Sequence, residues 1–541
     1  MNRLILFFCS LMFTAVCCGA DLKPDAMFRS YMVLQQDRVI PVTGKAKPGA
    51  EVKMTFKGKA YTTTADENGR WKIELAPMKA DSKNARMIIT SGEEKFLIHS
   101  VLVGEVILLS GQSHIATSFG YKRSELQSTD KRKLPPEVYQ SLLDEINSTI
   151  NNVEEDLLLR SCTVWSDGTG SWWKCNAKEL KSFSVAGYNL AKVLRKELNV
   201  PVALISMSRG SSSIESWIPA EYFDHPALKN EKSNIPKFLA FNKANKAKTI
   251  TPEELEAYMV DLYNQPRWAR WKNNYIKDGK LKKNAVKLAL FHSGSVQPTA
   301  CYENIAKSVC PFPARALVWW QGETNYREAP GQYAQKLRIL FEAYRKLWNT
   351  PDMPIVVILQ GQRKQYAGLY TIGRLDQFNG VADVANTYLV NNLMTPIAEI
   401  GMVHPYHEKI QAGKDAAALF LKNFYGKGGI GSGPLFDKAV IKDGKAVVTF
   451  RFSDGLKTSD GKAPVGFELA GKDKKYYPAE AEIKDGSVVV SSAKVASPEF
   501  VRYMWEDVKN VCNLVNADNL TAFPFDTQYE FFQKPNTING K

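Results

Sequence analysis

Scarcity narrows this chain first. Its 541 residues include only six histidines and eight cysteines. Three cysteines (Cys9, Cys17, Cys18) fall within the first 20 residues. The other five (Cys162, Cys175, Cys301, Cys310, Cys512) do not follow zinc-ligand spacing, and none has a nearby histidine to pair with. No metal and no cofactor is expected. Beyond the amino terminus no stretch approaches the roughly 20 apolar residues of a membrane-crossing helix, so no membrane span is expected. There is no internal repeat. Lys and Arg total 71 against 56 Asp and Glu, a net charge of +15. The lysines are dispersed, and no basic helix carries interleaved aromatics in a recognisable motif, so no nucleic-acid partner is expected. A charge of this sign suits attraction to acidic glycans or an anionic cell surface, or a plain solvated exterior.

The amino terminus is distinctive. Met1 to Ala20 carries Arg3, an apolar run from Leu4, and small residues at Cys18-Gly19-Ala20. That is the pattern of a secretory signal peptide over residues 1–20, and the expected location is secreted or periplasmic. Val16 and Cys17 fit a lipid-attachment site poorly. In an oxidising compartment Cys162–Cys175 and Cys301–Cys310 can each close a short loop, leaving Cys512 odd; free buried thiols are the equal alternative.

Three textures follow. Residues 21–100 alternate apolar and polar over short runs such as Val52-Lys53-Met54-Thr55-Phe56, with turn signals at Pro48-Gly49 and Asn68-Gly69. They predict a small antiparallel β-sandwich. Residues 101–428 alternate apolar strands with longer helical patterns. The strands are expected at Val101–Leu109, Val202–Met207, Ala316–Trp320, Ile355–Gln360 and Tyr388–Asn392, and helices at Phe183–Glu197, Tyr333–Trp348 and Glu408–Tyr425. This texture predicts an α/β domain with a parallel sheet covered on both faces. It is interrupted by a polar helical stretch at 120–160 and by a helical insertion at about 223–290. The insertion holds Trp268 and Trp271, read either as part of a covering element or as a sugar platform. Residues 429–541 return to β texture.

The strand from Val101 runs into Gly111-Gln112-Ser113, where a glycine allows the tight turn that lifts a serine hydroxyl clear of a sheet. The strand Ala316–Trp320 ends in Gln321-Gly322-Glu323-Thr324-Asn325, and Val403-His404-Pro405 lies near the end of the same region. In this order the three sites resemble the sialate O-acetylesterase family of carbohydrate esterases, within the Ser-Gly-Asn-His hydrolases. Met32-Val33-Leu34-Gln35, Asn68-Gly69-Arg70-Trp71, Ile214-Glu215-Ser216-Trp217, Gly466-Phe467-Glu468-Leu469 and Phe523-Pro524-Phe525-Asp526 extend the resemblance over nearly the whole chain after the leader. The resemblance implies a central, flavodoxin-like three-layer domain with a parallel sheet, flanked by the amino-terminal β-sandwich and a carboxy-terminal β segment.

It also implies roles. Ser113 is the candidate nucleophile and His404 the candidate base, whose ordinary pKa near neutrality suits proton transfer. The backbone N–H groups of Ser113 and Gly210 and the amide of Gln321 are candidates for an oxyanion hole. Glu323 and Asn325 are candidate supporting residues, as is His407 as a substrate or supporting contact. Three positions depart from the family. Gly401 stands where it has an aspartate three residues before the histidine, leaving Glu399 or a backbone carbonyl to orient His404. His114 stands where it has an asparagine. Arg209-Gly210-Ser211 replaces a tryptophan and paired glycines, and Arg209 suits a substrate carboxylate such as that of a sialic acid. The expected activity is removal of O-acetyl groups from sialic acid or related glycans through an acyl-enzyme. An acetylxylan-type esterase, and a degenerate relative that binds acetylated glycans without hydrolysing them, stay open as alternatives.

Overall fold

The computed structural model describes residues 22–539 except 129, 266–267, 311, 362–368, 394, 400 and 506–511. The expected signal peptide lies outside the described residues. Short strands open the chain: β1 (Lys23–Pro24), β2 (Val33–Gln35), β3 (Ile40–Lys45), β4 (Glu51–Phe56), β5 (Lys59–Thr64), β6 (Arg70–Leu75) and β7 (Asp81–Ser91). They lead into β8 (Glu94–Gly111), which is 18 residues long. β1, β3 and β6 make one antiparallel sheet. β5, β4 and β7 pair antiparallel up to the first half of β8, with β2 parallel on its other side. In β4, Val52, Met54 and Phe56 are buried while the residues between them are exposed, as the two-residue period of a strand requires.

The second half of β8 belongs to a different environment. The following strands are β9 (Asp156–Val164), β10 (Gly170–Cys175), β11 (Val202–Ser208), a small hairpin of β12 (Ile276–Lys277) and β13 (Lys280–Leu281), then β14 (Ala316–Trp320), β15 (Ile355–Ile358) and β16 (Thr387–Val390). The central sheet runs β10-β9-β11-β8-β14-β15-β16, all parallel except β10 at the edge. Leaving β9 and β10 aside, the order is 2-1-3-4-5 from β8 as first strand. Its direction reverses between β8 and β14, the point where open α/β sheets leave a crevice.

The helices are α1 (Ser113–Ala116), α2 (Phe119–Ser128), α3 (Pro136–Asn151), α4 (Val185–Leu198), α5 (Asn234–Ala247), α6 (Pro252–Asn264), α7 (Ala269–Tyr275), α8 (Val286–Val296), α9 (Lys307–Val309), α10 (Gln332–Leu347), α11 (Leu369–Val381) and α12 (Tyr406–Tyr425). Both faces of the sheet are covered. Val106 and Leu108 join Leu317, Trp319, Val357 and the α10 residues Leu337, Leu340 and Phe341 on one side. Ile107 and Leu109 join Leu204, Val318, Trp320 and residues of α4 and α12 on the other. Burying each such aliphatic chain contributes about 1.5–3 kcal/mol.

Two expectations change. Residues 120–160 hold α2 and α3 but end in β9, because three consecutive leucines (Leu157 to Leu159) are too short a run for periodicity to separate strand from helix. Trp268 is buried with Met259, Leu262, Tyr263 and Tyr275 inside the insertion, so its face is taken by core packing and is not a sugar platform. The Trp271 side chain lies outside the described residues. Beyond α12, two four-stranded sheets form. One is built from Leu435–Lys442, Lys445–Arg451, Ser487–Ser491 and Glu480–Lys484, the other from Tyr476–Pro478, Phe467–Ala470, Phe500–Tyr503 and Phe525–Asp526. Among the described residues no helix is long and apolar enough to cross a membrane.

Candidate active site

Three adjacent strands end side by side: Gly111 of β8 is in register with Ser208 of β11 and Trp320 of β14. Gly111 has φ of 126°, and a Cβ there would stand 2.2 Å from the Trp320 carbonyl oxygen. Only glycine lets the chain turn at this point, where the Gln112 N–H donates to that same carbonyl at 3.0 Å. The turn delivers Ser113 at the start of α1. Beside it sits Gly210, where a Cβ would lie 4.0 Å from that of Ser113. Among the described residues neither the Ser113 nor the Gly210 backbone N–H donates a hydrogen bond, and the Ser113 hydroxyl makes none. Ser211 follows with φ of 59°, a left-handed conformation that paired glycines would adopt without strain.

His404 precedes α12 by two residues and is buried. Its ring stands edge-on to His114, the residue after Ser113, with centroids 5.1 Å apart, and edge-on to Tyr121 at 5.9 Å. Nδ1 is 2.6 Å from Glu125 Oε1 on α2. Nε2 is buried and has no hydrogen-bond partner among the described residues. Lys122, one turn before Glu125 and fully buried, donates to Glu125 Oε2 and to Asp130, each at 2.9 Å. Burial alone would raise the Glu125 carboxyl. The bond to His404 and the Lys122 ammonium override it and hold the group down to about 2. Burial holds the His404 imidazole below its ordinary value. Glu125 pushes it back up, while Lys409 and Lys122 push it down. An ionised Glu125 thus coexists with a neutral imidazole because Lys122 supplies the counter-charge.

His114 points inward. Its ring stacks on Trp320 with centroids 5.3 Å apart. Its Nδ1 lies 3.2 Å from the buried Lys409 ammonium, and its Nε2 is 3.5 Å from Glu323. Glu323 therefore sits against His114 at the back of the turn.

Two sequence expectations are corrected by the packing. Glu399 does not meet the His404 ring. Its carboxylate accepts the Tyr406 N–H at 2.5 Å and the His407 N–H at 3.2 Å, and bonds His407 Nδ1. The first turn of α12 has N–H groups in need of acceptors and Pro405 at its cap position, so Glu399 fills that need. The Gln321 amide is also committed elsewhere: Nε2 donates to Ser212 O at 3.0 Å and to Asn325 Oδ1 at 2.7 Å, and Oε1 accepts from Tyr333. Both of its N–H groups are spent on bracing the loop. Asn325 continues that brace, accepting from the Ile214 N–H and donating to Glu215 and Glu328, which share the buried Lys336. His407 bridges Glu399 to Glu145 of α3.

Arg209 stacks over the Phe291 ring at 4.0 Å and donates to Ser295 Oγ and the Phe291 carbonyl. No carboxylate lies within ion-pair distance of it among the described residues. Glu125 is what sequence reading missed: it sits 279 positions before His404 and no local motif marks it. Among the described residues, no group of three or more His, Cys, Asp or Glu is arranged to hold a metal ion.

No protein-family profile matches the chain. Sialate O-acetylesterase of Mus musculus is 29% identical over 210 residues, which is 37% of this chain and 38% of that protein. That of Pongo abelii is 27% identical over 214 residues, 37% of this chain and 39% of its own length. The matched segments thus span well under half of these relatives. A carbohydrate acetylesterase from Xanthomonas citri has the same fold, with a TM-score of 0.70 and 23% identity over 94% of this chain and 99% of that one. Over little more than a third of its length the chain is thus similar in sequence to sialate O-acetylesterases, and over nearly all of it the fold is the one seen in the carbohydrate acetylesterase.

Proposed function

We propose that the protein is a carbohydrate O-acetylesterase. One arrangement carries the reading. Among the described residues, a hydroxyl with no hydrogen bond at Ser113 stands beside two undonated backbone N–H groups, its own and that of Gly210, while the ring of His404 packs against the very next residue. Ser113 Oγ attacks the acetyl carbonyl as His404 Nε2 takes its proton. The carbonyl oxygen becomes negative and is received by the two N–H groups, a task for which each donor is worth roughly 10²–10³ in rate. His404 then returns the proton to the sugar oxygen as the C–O bond breaks. Water, activated by the same imidazole, hydrolyses the acetyl-enzyme to acetate. The carboxylate on His404 Nδ1 favours this over the non-hydrolytic alternative by answering one of its two motivations, the glycine at 401, the other being His114.

For the substrate, the observation is Arg209. A half-buried guanidinium that is held by an aromatic face and two neutral acceptors, beside Gly210, is suited to a bidentate sugar carboxylate. We therefore place acetylated sialic acid or another acidic sugar ahead of neutral acetylxylan, with an exported protein as the setting. The test is hydrolysis of a chromogenic acetyl ester by wild type, Ser113→Ala and His404→Ala, with losses of about 10³-fold or more expected in both variants. Equal rates in wild type and Ser113→Ala end the esterase reading. Arg209→Ala should raise KM for carboxylated acetyl sugars and leave neutral ones unchanged; unaltered discrimination refutes the acidic-sugar assignment.

A further inference from the structure

An imidazole that accepts a proton from serine must offer Nε2 as a lone pair, which requires its one proton to sit on Nδ1. Something must hold that tautomer. At position 401, where the resemblance places an aspartate, the chain has an exposed glycine, and a Cβ there would meet nothing within 4 Å. Glu399, nearest in sequence, is occupied by the start of α12 and by His407. We propose that Glu125 of α2 is the positioning residue for His404, an acid supplied by a different element from the family's; the proposal rests on the esterase reading of Ser113 and His404.

The geometry is specific. One Glu125 oxygen accepts the Nδ1–H hydrogen bond at 2.6 Å and the other accepts one from the Lys122 ammonium at 2.9 Å, so the carboxylate is held at both ends. Lys122 is in turn fixed by Asp130. Among the described residues, the remaining groups facing the ring are His114 of α1, Tyr121 of α2 and Lys409 of α12, with Glu323 and Glu408 against His114. None of them offers a carboxylate to Nδ1. Glu125 stays ionised throughout and steadies the imidazolium that forms when Ser113 gives up its proton, without itself accepting that proton.

The decisive variant is Glu125→Gln in the full chain. It leaves the buried Lys122 paired with Asp130, so no buried ammonium is stranded and the fold should persist. We expect kcat to fall about 10³–10⁴-fold with little change in KM. The acid limb of the pH profile should move to lower pH, because an influence that raises the imidazole pKa is gone. Glu125→Asp should recover part of the rate. Nitrogen NMR of the imidazole should show His404 protonated on Nδ1 in wild type and redistributed toward Nε2 in Glu125→Gln. A kcat within about tenfold of wild type, when Ser113→Ala and His404→Ala are both dead, overturns the role of Glu125 alone. If those two variants keep wild-type rates, the esterase reading has failed instead. The tautomer measurement still judges Glu125 in that case, and an unchanged tautomer in Glu125→Gln refutes it. Should Glu125→Gln fail to fold, Glu125→Leu carries both readouts, and a rate and tautomer equal to wild type in that variant refute the proposal.

Discussion

At Gly111 the margin is a single methyl group. A Cβ 2.2 Å from the Trp320 carbonyl would force β8 and β14 apart at the point where Ser113 is presented. The same scale governs the pH response. Burial keeps His404 below the ordinary histidine pKa, and in the role proposed for it the imidazole works only when neutral. Rate therefore rises with pH through that lowered value and levels off. We expect the acid limb of kcat/KM to bend below pH 6.5, the ordinary imidazole value; a bend above it, measured over pH 4 to 8, would contradict the environment described here. Residue by residue, the turn at Ser113 was legible because it follows a strand end, a local signal, whereas Gly210 and His404 were singled out only by the family resemblance. The fate of Gln321 was not legible. Its amide is claimed by Ser212 and Asn325, acceptors that only the folded loop brings within 3.0 Å.

Elements set where His404 can stand. It is joined by Pro405 to the first residue of α12, so any displacement of α12 moves the imidazole. α12 packs closely on α4 through Gly413, where a Cβ would approach the Ala186 carbonyl oxygen to 2.3 Å and Asn189 Cβ to 2.9 Å. Gly413→Ala gains about 1 kcal/mol of helix propensity but overpacks a rigid contact at a cost of about 1–3 kcal/mol. We predict a net loss of about 1 kcal/mol in denaturant unfolding together with a lower kcat. Unchanged or improved stability would mean that the helices separate freely. The sequence periodicity located α4, α10 and α12 to within about two residues, because one apolar stripe in each faces the sheet. It missed β9, whose strand character comes from pairing with β11 rather than from its own residues.

Across the whole molecule, β8 is the continuous piece. Its first half pairs with β7 and its second with β11 and β14, so backbone hydrogen bonding runs unbroken past residue 100. At the other end Asn539 exchanges two hydrogen bonds with Leu389 on β16, and Phe378 of α11 packs on Phe523 and Phe532, tying the carboxy-terminal strands to the central layer. The fold is assembled without disulfides among Cys162, Cys175, Cys301, Cys310 and Cys512, all of which are free thiols. In the sheet, Cys162 pairs with Trp172 and Cys175 with Asp156, so the two do not face each other. Burial pushes the Cys175 thiol up to about 11 and those of Cys301, Cys310 and Cys512 up to about 12. We expect these five thiols to resist a disulfide reagent in the native state and to react in denaturant, and Tm to be indifferent to reductant. A Tm that falls on reduction would reveal a cross-link.

Sequence alone determined most of the alternation of strands and helices, β9 excepted, and which side chains follow the strand ends it located, since hydrophobic period and turn chemistry act over a few residues. The tertiary structure decided who meets whom. That His404 faces Glu125, that His114 turns inward onto Trp320 and that Gln321 is spent on its own loop are outcomes of close packing between distant segments. No spacing along the chain encodes them, because each depends on the space its neighbours leave.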